Sequence, residues 1–445
     1  MSEPAAVGAA PSVRRLWALA APLLVAGLTQ IVVNVVDTVL LARWSAQALA
    51  AFALAAPAYL IALVIVRGWA TAVQVKVAHA HGAGTPAAVT RVARVGLAAS
   101  IVAGAIIGAV LYVIAGPVLT VLGASAELAG PGTAYLRVLA FAVPFAAASF
   151  TLQSACAGVG VTRAAMYNAL LVNAVNLPLG LLLIFAAGLG VVGAAIATLA
   201  ATAAGAAFLL VHARVRLPRV PAGGAGTGRV LRGLWAIGWP EMSAMGVGYV
   251  NEALLAGFAA RMGTSELAAY RIVDNLLLIV FTAMNSAAAP ITILAGHELG
   301  AGDPARAELW RRTGVRLLLI VYAVPAGGML PLGRPLLSLV TENAEIGALA
   351  WQAVPLALLS MAPMVLAMSY GCLLRARGDT RSVMIASVAG DYLVLIPLAW
   401  FLGVPGGLGL PGLYLAWTAF TVVLAALLRL RARPRSRREP AVRAG

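Results

Sequence analysis

The sequence predicts an all-α integral membrane protein: twelve transmembrane helices in two six-helix lobes, related by a pseudo-two-fold axis along the membrane normal. Three observations predict it. Of 445 residues, 62% are hydrophobic and only 10% charged, whereas soluble domains carry roughly 25% charged residues. Mean hydropathy is +0.96, and the deficit of charge runs the whole length of the chain. About 20 apolar residues cross a bilayer as a helix, and twelve stretches meet that length, near 16–41, 48–76, 93–115, 132–155, 165–187, 191–212, 233–260, 266–294, 312–333, 349–372, 383–403 and 410–429. Finally, the second half of the chain repeats the first.

Taken in order, the chain opens with a polar stretch, 1–13. Arg14 and Arg15 then lead straight into the first apolar segment. No small-residue cleavage pattern follows, so no cleaved signal is expected. The loops alternate in charge. The first holds Arg43, the third Glu127, and the fifth no charge. The second holds Arg91 and Arg94, the fourth Arg163, and the sixth Arg214, Arg216, Arg219, Arg229 and Arg232. Arg306, Arg311 and Arg312, then Arg375, Arg377 and Arg381, continue the pattern before the dense tail "RLRARPRSRREP". The positive-inside rule places both termini and the even loops in the cytoplasm of a cell inner (plasma) membrane protein. The net charge of +16 therefore reads as topology and not as nucleic-acid binding. Contact of the basic tail with anionic lipid is a secondary reading.

The stretch "LPRVPAGGAGTGRV" at 217–230 is rich in Pro and Gly and has no apolar period, as a linker does. It divides the chain into a tail (1–13), an N-lobe (14–213), a cytoplasmic linker (214–231), a C-lobe (232–430) and a basic tail (431–445).

The repeat is read by superposing the halves. Pro22 of "LAAP" and Pro240 of "IGWP" lie 218 residues apart, as do Leu49 and Leu267, His79 and His297, Gly82 and Gly300, Thr162 and Thr380, and Met166 and Met384. "LGVVG" and "LGLPG" follow at 219. Six spans per half make the repeats parallel, and two such halves can rock about a central cleft. In "GAGTP" and "GAGDP", Gly82, Gly84, Gly300 and Gly302 read as structural turns, with Thr85 or Asp303 capping the helix that Pro opens.

The two cysteines, Cys156 and Cys372, sit in apolar stretches without a CxxC and read as packing residues. Neither a Walker A lysine motif, an HExxH nor a Ser-His-Asp pattern is present. No enzyme, metal site, cofactor or ATP-driven pump is expected.

The chemistry lies in the few polar groups inside the spans. Asp37 is the acid in "TQIVVNVVDTVLLARW", and a charge at that depth costs about 2.5–3.5 kcal/mol. Asn34 lies three residues earlier on the same helix face. An intramembrane acid that can gain and lose a proton is what a proton-coupled carrier needs. Glu252 takes the repeat position of Asn34, and Leu255 that of Asp37, so the acid shifts by one turn between lobes. Asp274 follows Arg271 by three residues, and an ion pair within that helix is the plain explanation. Arg67, deep in span 2, needs a partner, for which Asp37 is one candidate. Asp391 aligns with Asn173 and is expected to pair across its lobe. Trp44, Trp69 and Trp351 read as interface anchors.

At the repeated blocks the sequence resembles the multidrug and toxic compound extrusion (MATE) family, from Leu16 to Leu430. "LAAP", "ALAA", the two GAG-[TD]-P loops, "RGDTR" at 377–381, "NAVN" at 173–176 and "GAAIAT" at 193–198 carry the resemblance. It implies proton- or sodium-driven export of organic, often cationic, compounds through a cleft between two six-helix lobes. Asp37 matches the family's acid on helix one, Asn176 a polar residue on helix five, and Thr198 one on helix six. Many members carry a second acid four residues after that Asn. Here the position is Gly180, which leaves a single-acid site on Asp37. Span 10 has no acid, which argues against a complete second-lobe sodium site.

The expectation is a monomeric, ion-coupled exporter of drug-like hydrophobic or cationic molecules. Proton coupling is favoured, with the lipid bilayer as its only other partner. The alternative is a lipid or lipid-linked saccharide flippase of the same broad architecture, which needs a strongly cationic cleft. Only Arg67 and Arg271 are clearly embedded cations. A channel ranks third, because a duplicated cleft serves alternating access.

Overall fold

In the computed structural model, residues 10–218 and 226–433 are described. Residues 219–225 of the expected linker and most of both expected tails lie outside them. The described residues form helices only. The N-lobe comprises α1 (Val13–Trp44), α2 (Ala46–Gly82), α3 (Pro86–Val121), α4 (Ala126–Ala140), α5 (Val143–Gly158), α6 (Arg163–Leu181) with a π turn at Leu182–Ala186, and α7 (Gly190–Arg216). The C-lobe comprises α8 (Thr227–Met262), α9 (Thr264–Gly300), α10 (Pro304–Val340), α11 (Ala344–Ala376), α12 (Thr380–Gly390), a π turn at Asp391–Leu395, α13 (Ile396–Gly403) and α14 (Gly409–Ala432).

Among the described residues, ten helical segments are long and apolar enough to cross a membrane, and α4 with α5, bent by 44°, makes an eleventh. The 36-residue α8, the seventh span in chain order, completes the twelve; Glu241, Asn251 and Glu252 lower its hydropathy. The bend between α4 and α5 falls just before Pro144, whose ring suits the first turn of a new helix. The expected spans therefore all appear, the fourth broken and the fifth and eleventh wound through π turns.

The repeat is visible in the backbone. Gly84 and Gly302 both take positive φ, as do Gly160 and Gly378, Gly188 and Gly407, and Gly190 and Gly409. These are four turns at an offset of 218 or 219, each needing a residue without a Cβ. Asp303 caps α10, accepting the Arg306 amide at 2.9 Å. Thr85 does not cap α3. Its hydroxyl turns back to the Ala80 carbonyl at 2.9 Å, because Thr is shorter than Asp and its O–H finds a last-turn carbonyl of α2.

Gly82 and Gly300 correct an expectation. They are not turn residues but the last residues of α2 and α9, where the lobes touch. A Cβ on Gly82 would fall onto the His297 carbonyl, and one on Gly300 onto the His79 carbonyl. Around this crossing the contacts are reciprocal. The His79 ring bonds the Ala376 carbonyl, and the His297 ring bonds the Gly158 carbonyl at 2.7 Å. Ala376 and Gly158 are themselves 218 residues apart. The second, fourth, eighth and tenth spans thus close on one another at the face that carries the arginine-rich loops, called here the basic face.

On this basic half each lobe also borrows the leading helix of the other. Leu16 and Ala20 of α1 belong to the C-lobe core, and Ser286 donates to the Leu23 carbonyl at 3.3 Å. In return, Leu234 and Ile237 of α8 pack with Val73, Val77 and Val89 of the N-lobe. Toward the opposite face α1 rejoins its own lobe against α6, and polar groups such as Asn34, Thr38 and Glu252 are exposed. The lobes diverge there. Trp69 is not an interface anchor: its indole N–H donates to the Gly96 carbonyl at 3.1 Å, inside the N-lobe packing.

The crossing makes a steric prediction. Gly82→Val is expected to hold the lobes apart at the basic face. A cysteine at Ala78, which is 1% exposed, should react with maleimide slowly in the parent protein and at least about tenfold faster beside Gly82→Val. Gly130→Ala, in α4 and with a Cβ that meets nothing within 4 Å, should leave that rate unchanged.

Candidate functional site

In the N-lobe, α1, α6 and α7 meet at a level set by Gly180. A Cβ there would lie 3.9 Å from the Leu40 side chain and 4.0 Å from Ala197. Asp37 on α1 and Asn176 on α6 lie about one turn from this point, and Thr198 on α7 directly follows Ala197. The Asn176 amide donates to the Thr198 hydroxyl at 3.2 Å, so these two polar groups satisfy each other and fix the wall facing α1. Asn176 is buried, 4% exposed.

Asp37 is half-buried, and among the described residues nothing bonds its carboxylate. Tyr135, itself buried and set edge-on to Phe52 at 5.8 Å, lies within its electrostatic reach. Along α1 the polar groups serve one another: Gln30 donates to Asn34 at 3.5 Å, and Thr38 to the Asn34 backbone carbonyl at 2.7 Å. Asn173 turns back onto the Ala169 carbonyl at 2.9 Å, which keeps it in its own helix.

Arg67 is not the partner of Asp37. Asp37 lies about two turns from the end of α1 and Arg67 about six turns from the start of α2, so antiparallel packing separates them by about 20 Å along the axis. The guanidinium instead sits over the Phe150 ring, 5.6 Å from its centre, and interacts electrostatically with Tyr249 of the other lobe. The cation lies over a ring face and pairs with no carboxylate among the described residues.

The C-lobe is built differently. Leu255, the repeat of Asp37, is buried at 1% exposure. Arg271 pairs with Glu252 on α8 at 3.3 Å, not with Asp274 on its own helix. The expected intrahelical pair fails because α8 brings a carboxylate to the exposed side of α9, while Asp274 is turned toward Tyr270 and Tyr414. Those two rings are buried and stacked at 6.4 Å. Asp391 is buried at the first residue of the π turn, and Asn251 of α8, also buried, lies within its electrostatic reach. A π turn is a frequent device for re-aiming a functional side chain.

Sequence reasoning missed the bonded acids near the basic face. Glu241 and Arg375 join α8 to α11 at 2.8 Å, and Glu298 accepts from the Trp310 indole at 3.1 Å. Their repeat positions, Leu23 and Ala157, Ala80 and Val92, are apolar or small. A charged residue in one half opposite an apolar one in the other is the signal that could have found them. The site that remains is chemically simple: one unpartnered acid, a satisfied Asn–Thr wall, and a second lobe whose acids are each engaged or turned inward.

The fold has known counterparts. A family profile described as MatE matches residues 22–182 and 247–401. The chain is 30% identical over 454 residues to a probable multidrug resistance protein NorM of Burkholderia mallei, covering 93% of this chain and 91% of that protein. It is 29% identical over 444 residues to another probable NorM, from Bradyrhizobium diazoefficiens, covering 94% and 93%. A crystal structure of MATE in the straight conformation superposes with a TM-score of 0.88 at 18% identity, over 95% of this chain and 96% of that one, a likeness of fold. With two-lobe architecture, profile and relatives in agreement, the chain belongs to the MatE family of multidrug and toxic compound extrusion transporters.

Proposed function

We propose that this MatE protein is a proton-coupled antiporter that exports hydrophobic or cationic small molecules by alternating access. In this reading the basic face lies in the cytoplasm of a cell membrane, and Asp37 is the coupling acid. One observation carries the proposal: Asp37 is the acid of the N-lobe spans, set at membrane depth without a bonding partner, where only function offsets its cost. The cleft opens away from the basic face, so protons from outside reach Asp37. When the proton arrives, the attraction for a bound cation is lost, and α1 can close on α6 and expel it. Pro22 lies within α1 below Asp37 and offers a point for that bend.

A flippase reading needs a cationic cleft to hold phosphate. Arg271 is neutralised by Glu252, which leaves Arg67 as the cleft's lone embedded cation among the described residues, so the exporter reading is favoured.

Three outcomes follow. Asp37→Asn keeps the shape and cannot exchange a proton. Efflux from proteoliposomes under an imposed pH gradient should fall at least about tenfold while the protein still folds; near-normal efflux would overturn the assignment.

Sodium should not be required, since a hard cation wants several oxygen ligands and Asp37 with Asn176 and Thr198 offers too few. Gly180→Asp fits sterically, its Cβ meeting only ordinary contacts. It should make transport respond to an imposed sodium gradient that the parent protein ignores.

Reciprocity requires that if a proton weakens substrate binding, substrate must weaken proton binding by the same factor. Binding of a cationic substrate in weakly buffered detergent should therefore release up to about one proton per protein. Asp37→Asn should abolish this release. Binding by the parent protein with no release at any pH between about 5 and 8 would show Asp37 to be a structural acid.

A further inference from the structure

On the outer side of the C-lobe, near the basic face, α10, α11 and α14 leave a recess of about 320 Å³ lined by Arg311, Arg312, Val315, Leu366, Tyr370 and Arg429. Arg311 forms its back wall. Its guanidinium lies 4.2 Å over the Tyr370 ring, is held by Glu308 at 2.6 and 2.9 Å, and reaches Ser369 at 3.4 Å. Arg312 shares Glu308 at 3.1 Å while remaining exposed. Arg429 forms no ion pair among the described residues. One carboxylate thus faces three cations, and the recess keeps a net positive charge.

Depth and surroundings identify what such a charge meets. Arg312 lies about two turns into α10, Arg429 about one turn from the end of α14, and Tyr370 less than two turns from the end of α11. All three stand at the level of lipid headgroups. Toward the bilayer centre the same outer surface continues as apolar side chains: Leu366, Leu319 and Leu359 are 43%, 47% and 50% exposed. The site is cationic at its mouth and apolar below, open sideways to lipid.

The repeat shows that the fold does not need these groups. The N-lobe builds the same three-helix corner with Ala93 in place of Arg311, Leu97 for Val315, Leu152 for Tyr370 and Leu210 for Arg429; only Arg94 keeps the charge of Arg312. A stacked, anchored guanidinium with two further cations in front of it is an addition made on one lobe.

We propose that this recess is a binding site for an anionic phospholipid of the leaflet on the basic face. The phosphate sits between Arg312 and Arg429 against Arg311, and an acyl chain runs along Val315, Leu366, Leu319 and Leu359. A cation beside an anionic lipid surface contributes about 1 kcal/mol, so removing Arg312 and Arg429 together weakens retention about thirtyfold.

The test uses the full chain. Native mass spectrometry of the parent protein with phosphatidylglycerol and phosphatidylcholine in equal amounts should show preferential retention of one phosphatidylglycerol. Absence of that preference overturns the site, whatever the variants do. In nanodiscs, phosphatidylglycerol added to phosphatidylcholine should raise the melting midpoint of the parent protein. The double variant Arg312→Gln, Arg429→Gln should lose most of that rise while melting normally in phosphatidylcholine alone, and Arg94→Gln should retain it. If Arg94→Gln costs as much as the double variant, the effect is diffuse surface charge and the site is refuted. If inorganic phosphate in phosphatidylcholine nanodiscs produces the full rise, the recess takes a free anion and the lipid assignment fails.

Discussion

The structure depends on the contact between the ends of α2 and α9. Two helix backbones approach there until a single methyl group at Gly82 or Gly300 would strike a carbonyl. Apolar side chains alone drive little helix association within a bilayer, where lipid tails are as apolar as the protein, and close backbone approach through small residues is what holds spans together. This approach is confined to one face. On the same basic half α1 and α8 exchange lobes; toward the opposite face each returns to its own bundle and the lobes part. Asp37 lies in the parted half, and the basic loops lie in the joined half.

The lobes share turns and crossings but not chemistry. Every left-handed glycine pair and the His–carbonyl pair obey the repeat, because they determine how the chain turns and where the lobes meet. The ionisable groups do not. The N-lobe keeps Asp37 unpaired; the C-lobe places leucine there, pairs Glu252 with Arg271 and Glu241 with Arg375, and buries Asp391. Duplication supplied a symmetric scaffold, and side chains that need no symmetry have diverged upon it. Which lobe carries an unpaired membrane-depth acid is therefore a property of substitution and not of fold.

The spans were legible because bilayer thickness writes directly into sequence as runs of about 20 apolar residues, and the repeat was legible because glycine and proline mark turns that tolerate few replacements. Asp37 stood out because charge at that depth is costly. What was not legible depended on facing. The spacing of Arg271 and Asp274 allowed an intrahelical pair, but α8 supplied Glu252 from across the groove. Arg67 seemed to want a carboxylate and found the ring of Phe150. Gly82 and Gly300 read as turns in one dimension and proved to be contacts in three. Helical spacing says which residues share a stripe; only packing says what lies opposite.

The carbonyls that accept from His79 and His297 belong to Ala376 and Gly158, the last residues of α11 and α5. Helix ends leave such oxygens without an internal partner, so they bond equally well to an imidazole or to water. A bond exchanged between protein and solvent is worth only about 1 kcal/mol net. The latch is therefore weak by construction: it aligns the closed face without locking it. Had the same histidines reached for mid-helix carboxylates, separating the two helix ends would strand a buried charge, at a cost of several kcal/mol.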